Sequence, residues 1–178
     1  MTVPLPFTMS LGPADHLVIA LIRAQRIPLL GLVIRQWLKF MGTDVPSGTI
    51  AGSRGFVLQH GGKVVVHYRT VIGDNVTLMQ HCSIGRGDVW RQQHPDFGGV
   101  VLEDDVIIGA GAAVLCSRGT LTVGRGTVVG ANAVLTCSTG ENELWAGAPA
   151  RLVGRRNPPV GTGSSAAAGL DEQAGLSG

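Results

Sequence analysis

The chain has 178 residues, enough for one domain with a modest extra segment, and its formal net charge is only +2. With no basic cluster interleaved with aromatics, so weak a charge argues against a general nucleic-acid-binding surface. Aromatic residues make up 4% against 44% hydrophobic, and 27 positions are Gly. Val, Ile, Leu and Ala must therefore fill a thin, repetitive core rather than the thick interior of a sandwich or helix bundle.

Residues 1–10 read as irregular. Asp15 to about Ala24 reads as a helix with Pro13 near its start, and about Pro28 to Phe40 as a second. Leu29, Leu30, Leu32, Val33, Trp37 and Leu38 give the second helix a broad apolar face, with Arg35 and Lys39 left wet. The expected role of residues 1–43 is a helical cap that buries the first turn of the following region. A helix lying on a membrane surface is the alternative, and membrane contact is not the expectation. The apolar stretches 17–22 and 27–34 are split by Arg23, Gln25 and Arg26 and fall short of the roughly 18 residues a span requires. The first residues lack a basic leader and a small-residue cleavage site, so no signal peptide is expected. Cys82, Cys116 and Cys137 form no CxxC pair, which fits neither a disulfide framework nor a zinc knuckle and suits a reducing cytoplasm.

From residue 49 the pattern changes to a period of six. An aliphatic residue recurs at Ile72, Leu78 and Ile84, at Leu102, Ile108 and Val114, and at Val123, Val129 and Leu135. Gly often follows it, and a small or β-branched residue often sits four places on. Strands have period 2 and helices 3.6, so a period of six indicates a solenoid of short strands and turns. Three such hexads close one triangular coil. The predicted fold class is an all-β solenoid, a left-handed parallel β-helix over residues 44–156, preceded by the helical cap.

The rhythm breaks in three places. A loop including Trp90, His94 and Pro95 intervenes between Ile84 and Leu102. About three residues bulge near Ser117 to Gly119. The phase also slips around Leu58 to Val66, where His60 lies. Function concentrates on such projections. Beyond Arg156 the low-complexity stretch 157–178 is expected to be disordered.

These segments resemble the hexapeptide-repeat acyltransferases, most of all the serine O-acetyltransferase branch with its short exopolysaccharide-type relatives. The resemblance rests on Gly55-Phe-Val-Leu-Gln-His60-Gly-Gly-Lys-Val-Val-Val66, Val71-Ile-Gly-Asp-Asn-Val-Thr-Leu78, His94-Pro95, Ile108-Gly-Ala-Gly-Ala112 and Ala146-Gly-Ala-Pro-Ala-Arg-Leu-Val-Gly154. It implies acetyl-CoA as donor, no permanently bound cofactor or metal, a hydroxyl acceptor, and a homotrimer with active sites between subunits.

By the same resemblance His60 falls on the catalytic histidine and His94 on a second active-site histidine. Asp44 lies one residue out of register with the carboxylate that orients the first. Ala110 and Ala131 fall on positions lining the CoA arm, Gly85 where the thioester carbonyl meets backbone N–H groups, and Arg86 beside it. Arg151 is expected to meet a CoA phosphate, with Arg155 and Arg156 near. Gln59, Arg91 and Gln93 are expected to face the acceptor. The family's serine-specific branch carries an acidic residue where Gln59 stands and Arg where Gln93 stands, so a sugar hydroxyl is the rival acceptor.

Chemistry agrees with these positions. A hydroxyl nucleophile requires a base of near-neutral pKa, a tetrahedral oxyanion requires preorganised donors, and no Ser or Cys stands in a nucleophile motif. His67 and His81 occupy outward positions and read as surface. They are also too sparse for the three-histidine zinc site of a carbonic-anhydrase-like solenoid, His60 and His67 being seven apart. A non-catalytic scaffold is the remaining reading.

Overall fold

The computed structural model describes residues 12–88 and 96–156. Helix α1 spans Pro13–Ala24 and α2 spans Leu30–Phe40, close to the expected bounds. Pro13 presets φ at the first helical position, and the Asp15 carboxylate accepts the Gly12 N–H at 3.0 Å. Ile19 and Ile22 of α1 and Leu38 of α2 are buried.

Among the described residues thirteen short strands follow: β1 (Val57–Leu58), β2 (Val65–Val66), β3 (Thr70–Ile72), β4 (Thr77–Leu78), β5 (Ser83–Arg86), β6 (Phe97–Leu102), β7 (Ile107–Ile108), β8 (Ala113–Cys116), β9 (Gly119–Val123), β10 (Val128–Val129), β11 (Val134–Leu135), β12 (Glu143–Ala146) and β13 (Arg151–Arg155). They form three sheets in the orders β1-β4-β7-β10-β12-β13, β2-β5-β8-β11 and β3-β6-β9. Consecutive strands thus visit the three sheets in rotation through β11, and pairing is parallel except for β12 with β13.

The pairings show how the hexads add up. Val65 pairs with Ser83, three hexads further on, which is one full coil. Val57 pairs with Thr77, two positions beyond a full coil, and the excess falls at the 3₁₀ turn Gln59–Gly61. Ser83 pairs with Ala113, well beyond a full coil, because the chain between β5 and β6 departs from the repeat. Ile107 pairs with Val128, three positions beyond a full coil, across the expected bulge. All three interruptions therefore fall where the sequence placed them.

The hexad aliphatics point inward and stack in register. Leu58, Leu78, Ile108 and Val129 form one ladder, Val66, Ile84, Val114 and Leu135 the second, and Ile72, Leu102 and Val123 the third, all buried. The residue four places later, as at Val76, Cys82, Val106, Ala112 and Ala133, is buried beside them. Only small or β-branched side chains fit there, between three converging sheets. At the turns the backbone enters the left-handed region at Asn75 (φ 55°) and Asp105 (φ 60°), where short polar side chains are tolerated, and Asn75 Nδ2 donates to Asp105 Oδ1 at 3.3 Å.

Over the first strand and turn, α1 rather than the apolar face of α2 makes the contact. The apolar face of α2 does not cover the first coil: Leu29, Leu30, Leu32, Val33 and Trp37 are exposed and only Leu38 is buried. The cause is that α1, through Ile19 and Ile22, fills that place and packs on β1 and the 3₁₀ turn. Stretch 157–178, expected to be disordered, lies outside the described residues. Among the described residues no helix is long and apolar enough to cross a membrane.

The far end is closed by β13, which turns back along β12. Buried Glu143 holds this closure: Oε2 accepts the Gly140 N–H at 2.7 Å and Trp145 Nε1–H at 2.9 Å, and Arg155 Nη2 lies 3.5 Å from Oε1. The indole hydrogen bond first, then the Gly140 amide and the Arg155 charge, hold this carboxyl below its ordinary 4.5. Its stabilisation is thus present above the unfolded value and lost as pH falls through the folded one. Glu143→Gln is expected to lower folding stability by about 1–3 kcal/mol at neutral pH and to flatten the acid limb of a melting-temperature profile. An unchanged acid limb would contradict this assignment.

Candidate active site

Successive coils place equivalent turns above one another. The turns after β4, β7 and β10 carry Gln80, Ala110 and Ala131, and they are bonded in a column: Gly111 N–H donates to Gln80 O at 3.0 Å and Asn132 N–H to Ala110 O at 2.8 Å. The turn after β1 is the first of this column and contains His60. The two additional residues there coil into the 3₁₀ turn, and His60 is in the left-handed region (φ 56°, ψ 38°), as His81 and Asn132 are in the turns above it. His60 is exposed, Gln80 and Ala110 half-buried and Ala131 exposed, so one edge presents an imidazole, then an amide, then two small side chains. Gln59 is half-buried beside His60.

A cleft of about 330 Å³ opens on the adjoining sheet, lined among others by Asp44, His67, Tyr68, Ser83, Gly85 and Arg86, with Arg35 of α2 at its edge. Asp44 is held by its backbone, bridging to Val65, and its carboxylate lies 3.2 Å from Lys39 Nζ. Asp44 lines the cleft from the strand side, while His60 sits in the turn after β1. Arg86 is anchored on Asp88, Nε to Oδ1 at 2.7 Å, and that hydrogen bond raises its pKa. Ser83 N–H donates to Ala112 O and Gly87 N–H to Cys116 O, so the parallel alternation places the Gly85 N–H on Val114 O. Gly85 thus shapes the cleft through its missing side chain, since a Cβ there would lie 3.2 Å from His67 Cβ.

His67, read from sequence as surface, is half-buried in this cleft. Its Nδ1 accepts the Arg69 N–H at 3.1 Å, which leaves the proton on Nε2, and its ring packs edge-on to Phe97. Burial, then the charges of Arg69 and Arg86, push its pKa below 6.5. The signal available in the sequence was spacing: Gly85 follows His67 by one coil of three hexads, so the two must be neighbours.

At the closing end Arg155 faces Glu143, and Arg156 Nη1 donates to Asp105 O and Gly126 O, at 3.4 and 3.3 Å. Arg151 remains exposed, its Nη1 donating to Ala150 O at 3.0 Å. Arg91, Gln93, His94 and Trp90 lie outside the described residues. Among the described residues no three His, Cys, Asp or Glu side chains gather as a metal site.

No family model matches the sequence. The serine acetyltransferase of Bacillus licheniformis is 34% identical over 115 residues, covering 64% of this chain and 49% of that protein. The chain is thus similar to serine acetyltransferases over most of its described residues. Serine acetyltransferase from Brucella abortus superposes with a TM-score of 0.63 at 25% identity, covering 80% of this chain and 57% of that one. A serine acetyltransferase solved in complex with CoA gives a TM-score of 0.58 at 26% identity, covering 76% and 55%. The chain spans about half the length of the curated relatives it matches.

The depressed His67 pKa has a defined sign. Neutral imidazole favours the folded chain, so its contribution is present above 6.5 and declines as pH falls through the folded value. An NMR titration is expected to place His67 below 6.5, with Arg69→Gln moving it upward. A midpoint at or above that value would contradict the environment described.

Proposed function

We propose that this chain is an O-acetyltransferase that moves the acetyl group of acetyl-CoA to a hydroxyl of a small, serine-like acceptor. The carrying observation is the column of turns that puts His60 in line with Ala110 and Ala131. The body, residues 44–156, is proposed as a left-handed parallel β-helix. The rotation of strands among three sheets and the likeness to serine acetyltransferases support it. Acetyl-CoA as donor rests on those relatives, one of which was solved with CoA.

In the proposed reaction His60 takes the proton of the acceptor hydroxyl as its oxygen adds to the thioester carbonyl. The tetrahedral intermediate collapses, the C–S bond breaks, and the imidazolium returns the proton to the departing thiolate. Because the Gly85 N–H belongs to the ladder, Nε2–H of His67 is proposed as a donor to developing negative charge in the cleft. The small side chains at Ala110 and Ala131 leave room for the pantetheine arm, and exposed Arg151 is the arginine proposed for a CoA phosphate. His94 is proposed as the second active-site histidine, Arg91 and Gln93 as acceptor contacts, and Asp44, which lines the cleft, as the carboxylate serving the catalytic histidine. Exposed Val65, Tyr68 and Val71 support side-by-side packing into a homotrimer. A sugar hydroxyl is the second reading, favoured by the neutral amide of Gln59 beside His60.

CoA-thiol release from acetyl-CoA, measured with a panel of amino-acid and sugar hydroxyls, tests the proposal. His60→Ala is expected to lower turnover on the best acceptor by about 10²–10⁴-fold while acetyl-CoA still raises the melting temperature. Undiminished turnover would remove His60 as the base. Absence of both thiol release and acetyl-CoA stabilisation would leave a scaffold as the better account.

A further inference from the structure

The cleft that holds His67 and Gly85 has an unequal charge balance. Besides His67, three ionisable side chains of opposite or permanent charge line it among the described residues: Arg35, Asp44 and Arg86. Asp44 is paired with Lys39 at 3.2 Å, and Arg86 with Asp88 at 2.7 Å. Arg35 makes no ion pair or hydrogen bond with any described residue. Burial, then Arg69 and Arg86, hold the His67 pKa below 6.5, so its ring adds no charge at neutral pH. An adjoining groove of about 400 Å³ shares Arg35 and Pro46 with the cleft; it adds the guanidinium of Arg26, and no carboxylate lines it. Much of the remaining cleft wall is apolar, with Val65, Ile84 and Leu115. An apolar pocket with one uncompensated cation is complementary to an anion, and its single carboxylate is already engaged.

We infer that the cleft selects an acceptor bearing a carboxylate or phosphate and no ammonium group, with Arg35 as the residue that reads this charge. The inference rests on the acyl-transfer reading above and narrows its acceptor to a small hydroxy acid or phosphorylated alcohol, rather than an amino acid or a neutral sugar. A guanidinium offers such an anion two parallel N–H donors, and Arg35 breaks no existing pair in doing so. An ammonium group meets the opposite situation. Its one candidate partner in the cleft, Asp44, would have to give up Lys39, while Arg35 and Arg86 repel it. A neutral sugar would gain nothing from Arg35. Because Arg35 belongs to α2, the segment before the coils takes part in the choice of acceptor.

Binding and turnover are measured separately on the full chain. Glycerate, glycerol 3-phosphate, glycerol and serine share a hydroxymethyl group and differ in charge. Each is titrated without acetyl-CoA while the His67 ring signals are followed by NMR, and each is then offered as acceptor in the thiol-release assay. Glycerate or glycerol 3-phosphate is expected to bind roughly tenfold or more tightly than glycerol, and more tightly than serine. The stronger of the two identifies the anion as carboxylate or phosphate, and rising salt should weaken it. Arg35→Gln should remove most of the preference, in turnover chiefly through KM, with melting temperature unchanged. Arg35→Lys should keep a good part of it. Anion binding that Arg35→Gln abolishes, without thiol release from any acceptor, would overturn the acetyl-transfer reading and leave the charge selection standing. Glycerol bound as well as the anions, serine bound more tightly than either, or an anion preference indifferent to Arg35→Gln would overturn the inference.

Discussion

Leu58, Leu78, Ile108 and Val129 stand one above another because each is the single large aliphatic of its hexad, and the two companion sheets repeat the arrangement. A chain so poor in aromatics has no other way to exclude water from its axis. Each coil is too small to hold a core of its own. It gains burial only from the coils on either side, so its position is fixed by its neighbours. The register of every strand, the column of turns and the site all inherit their placement from this stacking.

The proposed chemistry gathers where the stacking is interrupted. A regular hexad closes its turn tightly and leaves nothing projecting. The additional residues between β1 and β2 have nowhere to go inside the coil, so they wind into the 3₁₀ turn that carries His60 on its exposed side. A displaced phase thus converts a structural turn into an outward-facing imidazole, while equivalent turns above it remain plain and narrow.

Much of this was legible in the sequence. A period of six cannot be confused with two or 3.6, so the core ladders, both helices and all three interruptions could be placed from the residues alone. Spacing along the chain did not reveal which way a residue faces once coils stack. His67 sits among outward positions, yet the neighbouring coil and Phe97 enclose it. The α2 face read as a cap because amphipathicity records that a side is apolar, not what covers it. Ile19 and Ile22 had already taken the place.

Stacks of parallel strands present a difficulty at their ends, where unpaired N–H and C=O groups invite another chain to continue the ladder. Here the last strand, β13, runs opposite to its neighbour and is pinned through Arg155 to Glu143, while α1 lies over the other terminus by β1. A reversed strand is a poor template for a parallel successor. The molecule therefore carries its own stop against end-to-end growth into fibres.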